Sequence, residues 1–285
     1  MGRQVGKRVR KSVRRMSIAG RLLTCLVLLA ALTGYVLWGN SAVTVTEIPV
    51  TLSDLPEAFS GYRIAQISDL HNAQFGQDNE RLLDKLAQSR PDIIVLTGDL
   101  FDCNRTDVDI AAQFAAAAAR MAPTYYVTGN HEAYALASYK QLKAAMQESG
   151  VHLLENSLVT LEQDGQTISL IGVHDSGFTN VQDSLTELVP QAEDCSILLA
   201  HRPELIGSYA GAGVDLVFSG HAHGGQFRLP FLGGILAPGQ GLLPEYDAGL
   251  YQLQNTQLIV SRGLGNSRFP FRFNNRPEIV LAVLS

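Results

Sequence analysis

Cysteine is scarce. The 285 residues hold three, which excludes a disulfide framework. Cys25 falls in an apolar stretch, leaving Cys103 and Cys195 as the one conceivable pair; neither has zinc-type spacing, so any metal is held by nitrogen and oxygen. Acidic residues are missing before Glu47, whereas Arg3, Lys7, Arg8, Arg10, Lys11, Arg14, Arg15 and Arg21 crowd the amino end. The net charge of −5 therefore hides a body with 14 basic against 27 acidic residues, or −13, which repels nucleic acid unless bound metal or a local patch reverses the field. No nucleic-acid partner is expected. No internal repeat or long linker interrupts 43–285, and with 46% hydrophobic and 17% charged residues this stretch reads as one folded, catalytic-sized domain.

No charge of either sign occurs from 22 to 46. Residues 22–38 are almost continuously apolar, at the short end for crossing a hydrocarbon core, with Tyr35 and Trp38 where interfacial aromatics sit. They read as a transmembrane helix or signal anchor following a basic cytoplasmic leader, 1–21. A cleaved signal peptide is the competing reading, with Gly39-Asn40-Ser41 as a small-x-small site, but the apolar region exceeds the usual length of about 7 to 15 residues. Arg14-Arg15 also admits a twin-arginine export signal, although Ser17 stands where such signals prefer an apolar residue. The basic charges predict that the amino side stays in the cytoplasm, making this a single-pass protein of the cell membrane with its body on the extracytoplasmic side.

The periodicity predicts a strand over 42–52, with Pro49 indicating an edge, and another over 62–68. A helix follows over 78–90, capped by Asp78 and stopped by Pro91. A strand over 93–97, an alanine-rich helix opened by Asp107, a strand over 125–128 and a helix over 135–148 complete a βαβαβα pattern, which argues for a layered α/β sheet with helical crossovers. Runs at 157–162 and 167–173 then flank Asp164-Gly165, the residues of a tight hairpin turn. Strand–helix alternation resumes through 196–200 and 214–218, and short strands at 251–253, 258–261 and 279–284 finish the chain.

Five apolar runs close on side chains that bind metals. They lead to Asp69 and His71, to Asp99, to Asn130 and His131, to His201, and to His221 and His223, so five of the seven histidines lie at such ends. Parallel strands carry their sites at their carboxyl ends, which lets these ends share one crevice. Singly, Asp99 or Asn130 is a turn residue and His201 a helix cap; jointly they form a metal centre. Carboxylate, amide and imidazole together suit Mn²⁺, Fe²⁺ or Zn²⁺ and disfavour copper(I).

The blocks Asp69-Leu70-His71, Gly98-Asp99-Leu100-Phe101-Asp102, Gly129-Asn130-His131-Glu132, His201 and Gly220-His221-Ala222-His223 resemble, in this order, those of the calcineurin-like metallophosphoesterase family. The continuation Gly224-Gly225-Gln226 and the segment 261–265 are similar to a membrane-associated bacterial branch. The resemblance implies an α/β/β/α sandwich of two mixed sheets, the metallo-dependent phosphatase fold. It implies two divalent ions, manganese favoured: one held by Asp69, His71 and His223, the other by Asn130, His201 and His221, with Asp99 bridging them. Such a pair clamps the attacking and leaving oxygens of an in-line phosphoryl displacement and lowers the pKa of a shared water, whose hydroxide is the nucleophile.

His131 is then the candidate to stabilise phosphoryl charge and protonate the leaving oxygen, with Asp102 as the acidic partner that orients it. Glu132 is a supporting group or a solvated acid. His152 is structural, His174 borders the substrate pocket, and Cys103 packs. The expected activity is hydrolysis of phosphoric esters, as a phosphodiesterase acting on a lipid head group or envelope polymer. The alternatives are a phosphomonoesterase of the same fold and a non-catalytic, metal-stabilised binding domain; His131 and Asp102, which a purely structural metal site does not need, favour the enzyme.

Overall fold

The computed structural model describes residues 17–285; most of the predicted basic leader, 1–16, lies outside the described residues. Helix α1, Ile18–Ser41, begins where the Ser17 side chain accepts the Gly20 N–H, and it extends past both ends of 22–38. It is long and apolar enough to cross a membrane, and none of its residues is buried.

The chain then runs β1 (Thr44–Val50), β2 (Arg63–Ile67), α2 (Glu80–Gln88), β3 (Ile93–Thr97), α3 (Val108–Ala119), β4 (Thr124–Val127), α4 (Asn130–Tyr134), α5 (Leu136–Glu148) and β5 (His152–Leu153). The hairpin β6 (Ser157–Gln163) and β7 (Gln166–Gly172) follows, then α6 (Val181–Leu188), β8 (Ser196–Leu199), α7 (Ile206–Ala212) and β9 (Leu216–Ser219). Two short antiparallel pairs come next, β10 (Arg228–Leu229) with β11 (Gly233–Gly234) and β12 (Leu236–Ala237) with β13 (Gly241–Leu242). Strands β14 (Gly249–Leu253), β15 (Thr256–Val260) and β16 (Glu278–Leu284) end the fold.

One sheet has the order β1-β16-β2-β3-β4-β5, the other β14-β15-β9-β8-β7-β6. Both are mixed: β16 runs antiparallel to β2 in the first, and β14 and β6 are the antiparallel edges of the second. Pro49 lies on an edge strand, where its missing N–H costs no ladder bond. Three apolar clusters define the layers. Leu82, Phe114 and Leu142 pack helices α2, α3 and α5 on the outside of the first sheet. Val95, Ile197 and Phe218 fill the space between the sheets, and Leu185 and Tyr209 close α6 and α7 on the outside of the second. The result is the α/β/β/α sandwich. The inner strands β3, β4, β8 and β9 are buried on both faces, so they read as continuous apolar runs rather than alternating ones.

Asp107 caps α3 as expected, its carboxylate accepting the Ile110 N–H at 3.3 Å. Asp78 does not cap α2. It adopts left-handed backbone (φ 51°) ahead of the helix, and Asn79, the residue before the helix, turns its side chain back to accept the Phe75 N–H instead. A carboxylate on left-handed backbone is turned away from the first helical N–H groups, which explains the difference. Cys103 and Cys195 are both free thiols, and Cys195 is buried in the core between the sheets.

Candidate metal centre

The loops leaving β2, β3 and β4 in one sheet and β8 and β9 in the other converge at the carboxyl ends of these parallel strands. The floor is tied across the sheets by Gln66, whose amide donates to Thr97 Oγ1 at 2.9 Å and to the Ser219 carbonyl at 2.8 Å. Asp69, His71, Asp99, Asn130, His201, His221 and His223 are all brought together here, and all are buried. Asp69, His71 and His223 form one cluster and Asp99, His201 and His221 another; within each, one ligand-type atom per residue lies within 4.8 Å of the others. Asp99 faces both: its Oδ2 is 3.6 Å from His71 Nε2 and 3.2 Å from His201 Nε2.

Five of these seven residues, Asp69, His71, Asp99, His221 and His223, have φ between 45° and 64°. Left-handed backbone disfavours a side chain, and it persists at functional sites only where neighbours over-determine it. Here the neighbours are backbone groups. Asp69 N–H donates to the Gly98 carbonyl, His71 N–H to the Asp99 carbonyl, and Gly265 N–H to the Asp69 carbonyl. The close packing also fixes two glycines. A Cβ on Gly129 would lie 2.2 Å from Asp99 Oδ1, and one on Gly220 would lie 1.9 Å from Ser68 Oγ.

The electrostatics prepare these side chains for cations. Burial takes His71 down to about 3 against the pull of Asp99, and burial likewise holds His221 and His223 well below the ordinary imidazole value, so all three are neutral lone-pair donors. Burial pushes Asp69 up to about 6, with His201 opposing. His201 goes the other way: burial would lower it, but Asp99 outweighs burial and lifts it to about 10. Burial would raise Asp99, yet His201, whose Nε2 lies 3.2 Å from Asp99 Oδ2, holds it well below the usual carboxylate range. His201 Nδ1 lies 2.7 Å from the Thr97 carbonyl and donates to it, which directs Nε2 into the site.

Two features test whether this donor set fits metal ions. Asn130 Oδ1 is buried with no protein partner, and the Nε2 atoms of the neutral His71 and His223 rings converge to 3.2 Å, sharing one proton that an ion would displace. Convergent lone pairs and an orphaned amide oxygen, with no thiolate present, fit borderline divalent cations.

His131 is buried beside the ligands, and its backbone N–H donates to Asp99 Oδ1 at 2.8 Å. Asp102 does not orient it by a direct bond. The Asp102 carboxylate accepts the Asn104 and Arg105 N–H groups and the Arg105 guanidinium, and the Cys103 N–H donates to His131 Nδ1 at 2.9 Å. Asp102 therefore shapes the loop that presents Cys103 N–H. With Nδ1 accepting, the ring proton resides on Nε2, the nitrogen that lies 4.0 Å from Asp99 Oδ2. Glu132 is a buried brace: it accepts the N–H groups of Asp99, Leu100 and Gly129, joining the loops after β3 and β4.

A cavity of about 760 Å³ opens over the clusters, lined by Asn130, His131, Tyr134, Arg202 and His221 on one side and by Leu236, Pro238 and Arg268 on the other. His174 does not line it; the ring stacks on Phe178, which packs on Tyr139 of α5, and meets Thr128 Oγ1 at 3.0 Å, while its backbone N–H is held by Asn156. His152 stacks on Tyr125 at the sheet edge. Arg202 was not singled out by its sequence context, and it borders the cavity with its guanidinium held by Asp175 at 2.6 and 3.1 Å. Arg272 carries no sequence signal either. It is buried, and its guanidinium donates to the carbonyls of Gly265 and Arg262, the segment that pairs with Asp69.

A calcineurin-like phosphoesterase family model matches residues 62–225. The chain is 34% identical over 251 residues to the uncharacterized metallophosphoesterase YkuE of Bacillus subtilis, covering 85% of each chain. It is 27% identical over 232 residues to phosphodiesterase YaeI of Escherichia coli, covering 78% of this chain and 82% of that one. It is 29% identical over 304 residues to a bovine transmembrane protein with metallophosphoesterase domain, covering 99% of this chain and 66% of the relative.

Proposed function

The chain belongs to the calcineurin-like phosphoesterases, and from that premise we propose that it is a metal-dependent phosphoric ester hydrolase, a phosphodiesterase working at a membrane surface. The observation that carries this reading is the placement of one carboxylate oxygen, Asp99 Oδ2, between two histidine clusters. Asp69, His71 and His223 would hold one divalent ion, Asn130, His201 and His221 a second, and Asp99 would serve both. When bound, the ions would supply the positive charge that activates water and offsets charge on the phosphoryl oxygens.

The remaining work falls to the chain's own groups. His131, with its proton on Nε2 and its Nδ1 held by Cys103 N–H, would donate that proton to the leaving oxygen. Arg202, fixed by Asp175, would hold a phosphoryl oxygen in the cavity. Preference for a diester is supported by the named activity of the Escherichia coli relative. The catalytic unit would span 43–285, and 22–38 would anchor it with the body on the extracytoplasmic side, as the basic leader predicts. The test is purified full-length protein loaded with Mn²⁺ and assayed on a nitrophenyl diester and its monoester. Faster diester hydrolysis is expected. Phosphate-ligand binding without hydrolysis of either ester would make it a binding domain.

A further inference from the structure

The last turns of α1 do not stand clear of the body. Tyr35 Oη donates to Asn274 Oδ1 at 3.1 Å and its ring meets Phe273 edge-on, while Arg276 lies over Trp38, 4.8 Å from the ring centroid. Asn40 brackets Arg272, its amide donating to the Arg272 carbonyl at 2.9 Å and its oxygen accepting the Arg272 N–H at 2.7 Å. The carboxyl end of an apolar, membrane-length helix is thus joined to the 266–276 loop, and that loop is joined to others. Gln226 donates to the Phe271 carbonyl, Arg228 N–H donates to the Phe273 carbonyl, and Leu243 N–H donates to the Ile235 carbonyl.

These connected loops expose apolar side chains. Phe231 at the tip of the β10–β11 hairpin is fully exposed, flanked by exposed Leu229 and Leu232; Leu242 and Leu243 stand exposed after β12, and Phe269 and Phe271 on the loop that touches α1. Scattered single apolar residues need no explanation, but a connected set beside a membrane-length helix does. The sequence from 262 to 277 contains four arginines and no acidic residue, in a body that is otherwise acidic. Arg262 is paired with Glu278, Arg272 is buried and Arg276 is half-buried over Trp38, which leaves Arg268 as the exposed one, at the cavity wall. Aromatic and aliphatic side chains flanked by arginine are the composition of a surface that seats in the headgroup region of an anionic bilayer.

We propose that the loops 229–232, 242–243 and 268–271 form a second membrane contact, which lays the catalytic body on an anionic phospholipid bilayer with the cavity mouth at headgroup level. The inference rests on α1 being a membrane helix. It goes beyond the helix, because an anchor alone leaves the body free to stand away from the surface. The cavity wall formed by Leu236, Ala237, Pro238, Ser267 and Arg268 belongs to the same loops, so their seating would open the site along the bilayer rather than into bulk water.

Trp38 is the sole tryptophan, which gives a clean test in the full chain. In vesicles of phosphatidylglycerol and phosphatidylcholine with brominated acyl chains, a Trp38→Phe, Phe231→Trp protein should emit to the blue and lose emission to bromine as wild-type Trp38 does. A Trp38→Phe, Leu250→Trp protein is the control, since Leu250 is exposed on edge strand β14 in a groove with Asp54 and Asp215, whose charge an anionic surface repels; it should lose none. Loss at position 231 should weaken in pure phosphatidylcholine. Emission at 231 untouched by bromine, while wild-type Trp38 is quenched, overturns the contact but leaves α1 in the membrane. A blue shift at 231 without bromine quenching would mean burial against protein and would also overturn it. Unquenched wild-type Trp38 removes both the helix reading and this proposal.

Discussion

Asp69, His71 and His223 all sit on left-handed backbone, whereas on the other side of Asp99 only His221 does; Asn130 begins helix α4 and His201 sits in the bend just after β8. Asn130 is placed by the helix it begins, while His201 is steered by the Thr97 carbonyl of the other sheet and the His221 N–H donates to the Asp69 carboxylate. The first group is placed by distant loops. Gly265 N–H holds the Asp69 backbone, Arg272 holds Gly265, and Asn40 at the end of α1 holds Arg272. Each left-handed residue costs roughly 1 to 2 kcal/mol, so the first cluster stores strain that these contacts, together with the Gly98 and Asp99 carbonyls, keep in place. The contrast teaches that two similar ligand sets can depend on different parts of one chain, and that the 262–276 segment bears first on the cluster that contains Asp69.

The sharpest way to erase the distinction is to remove what the clusters share. Asp99→Asn should take activity to near background and lower metal content at both sites, because a neutral amide replaces the one charge that faces both; metal analysis alongside turnover checks it. Full occupancy with normal turnover would mean that the clusters do not share this residue. His131→Ala should spare both clusters, since its side chain belongs to neither ligand set, yet cost about 10² to 10⁴-fold in turnover, the usual range for a positioned proton donor. The loss should be larger on an alkyl ester than on a nitrophenyl ester of the same phosphate, which needs the proton less. An equal loss on both would assign His131 to phosphoryl charge rather than to the leaving group.

A smaller effect should divide the clusters. Arg272→Gln should weaken the ion at Asp69, His71 and His223 by about 10 to 100-fold, the range for supporting contacts, with little change at the other. Stepwise metal titration by calorimetry separates the two, and equal weakening would break the contrast. The mildest test is pH. With His201 at about 10 in the metal-free chain, loading the second cluster must expel a proton at any lower pH, so its affinity should rise about tenfold per pH unit. The first cluster should show little such slope above about pH 7, a unit beyond the Asp69 value of about 6, where that carboxylate is ionised and His71, at about 3, and His223, held well below the ordinary imidazole value by burial, are already neutral. Matching slopes would remove the electrostatic half of the comparison.

By itself the sequence determined which side chains meet. Apolar runs buried on both faces must become sheet strands, and the residues that close them must gather at one edge, so Asp69, His71, Asp99, Asn130, His201, His221 and His223 were legible as one centre, as was the apolar helix before it. The order of the blocks carried the sandwich with it. Tertiary structure alone decided what holds those side chains. Asp102 looks like the partner of His131 because it lies three residues from Asp99, but the loop spends that carboxylate on its own backbone and offers Cys103 N–H instead. Asp78 loses its capping role to the same kind of local turn, and His174 is held away from the cavity by its stack on Phe178. Arg272 and Asn40 could not be found by spacing, since they reach the site through contacts spanning 232 residues of chain. Local periodicity records which face a residue takes; it holds no record of which distant backbone carbonyl or amide will lie opposite, and those partners are what fix a ligand's geometry.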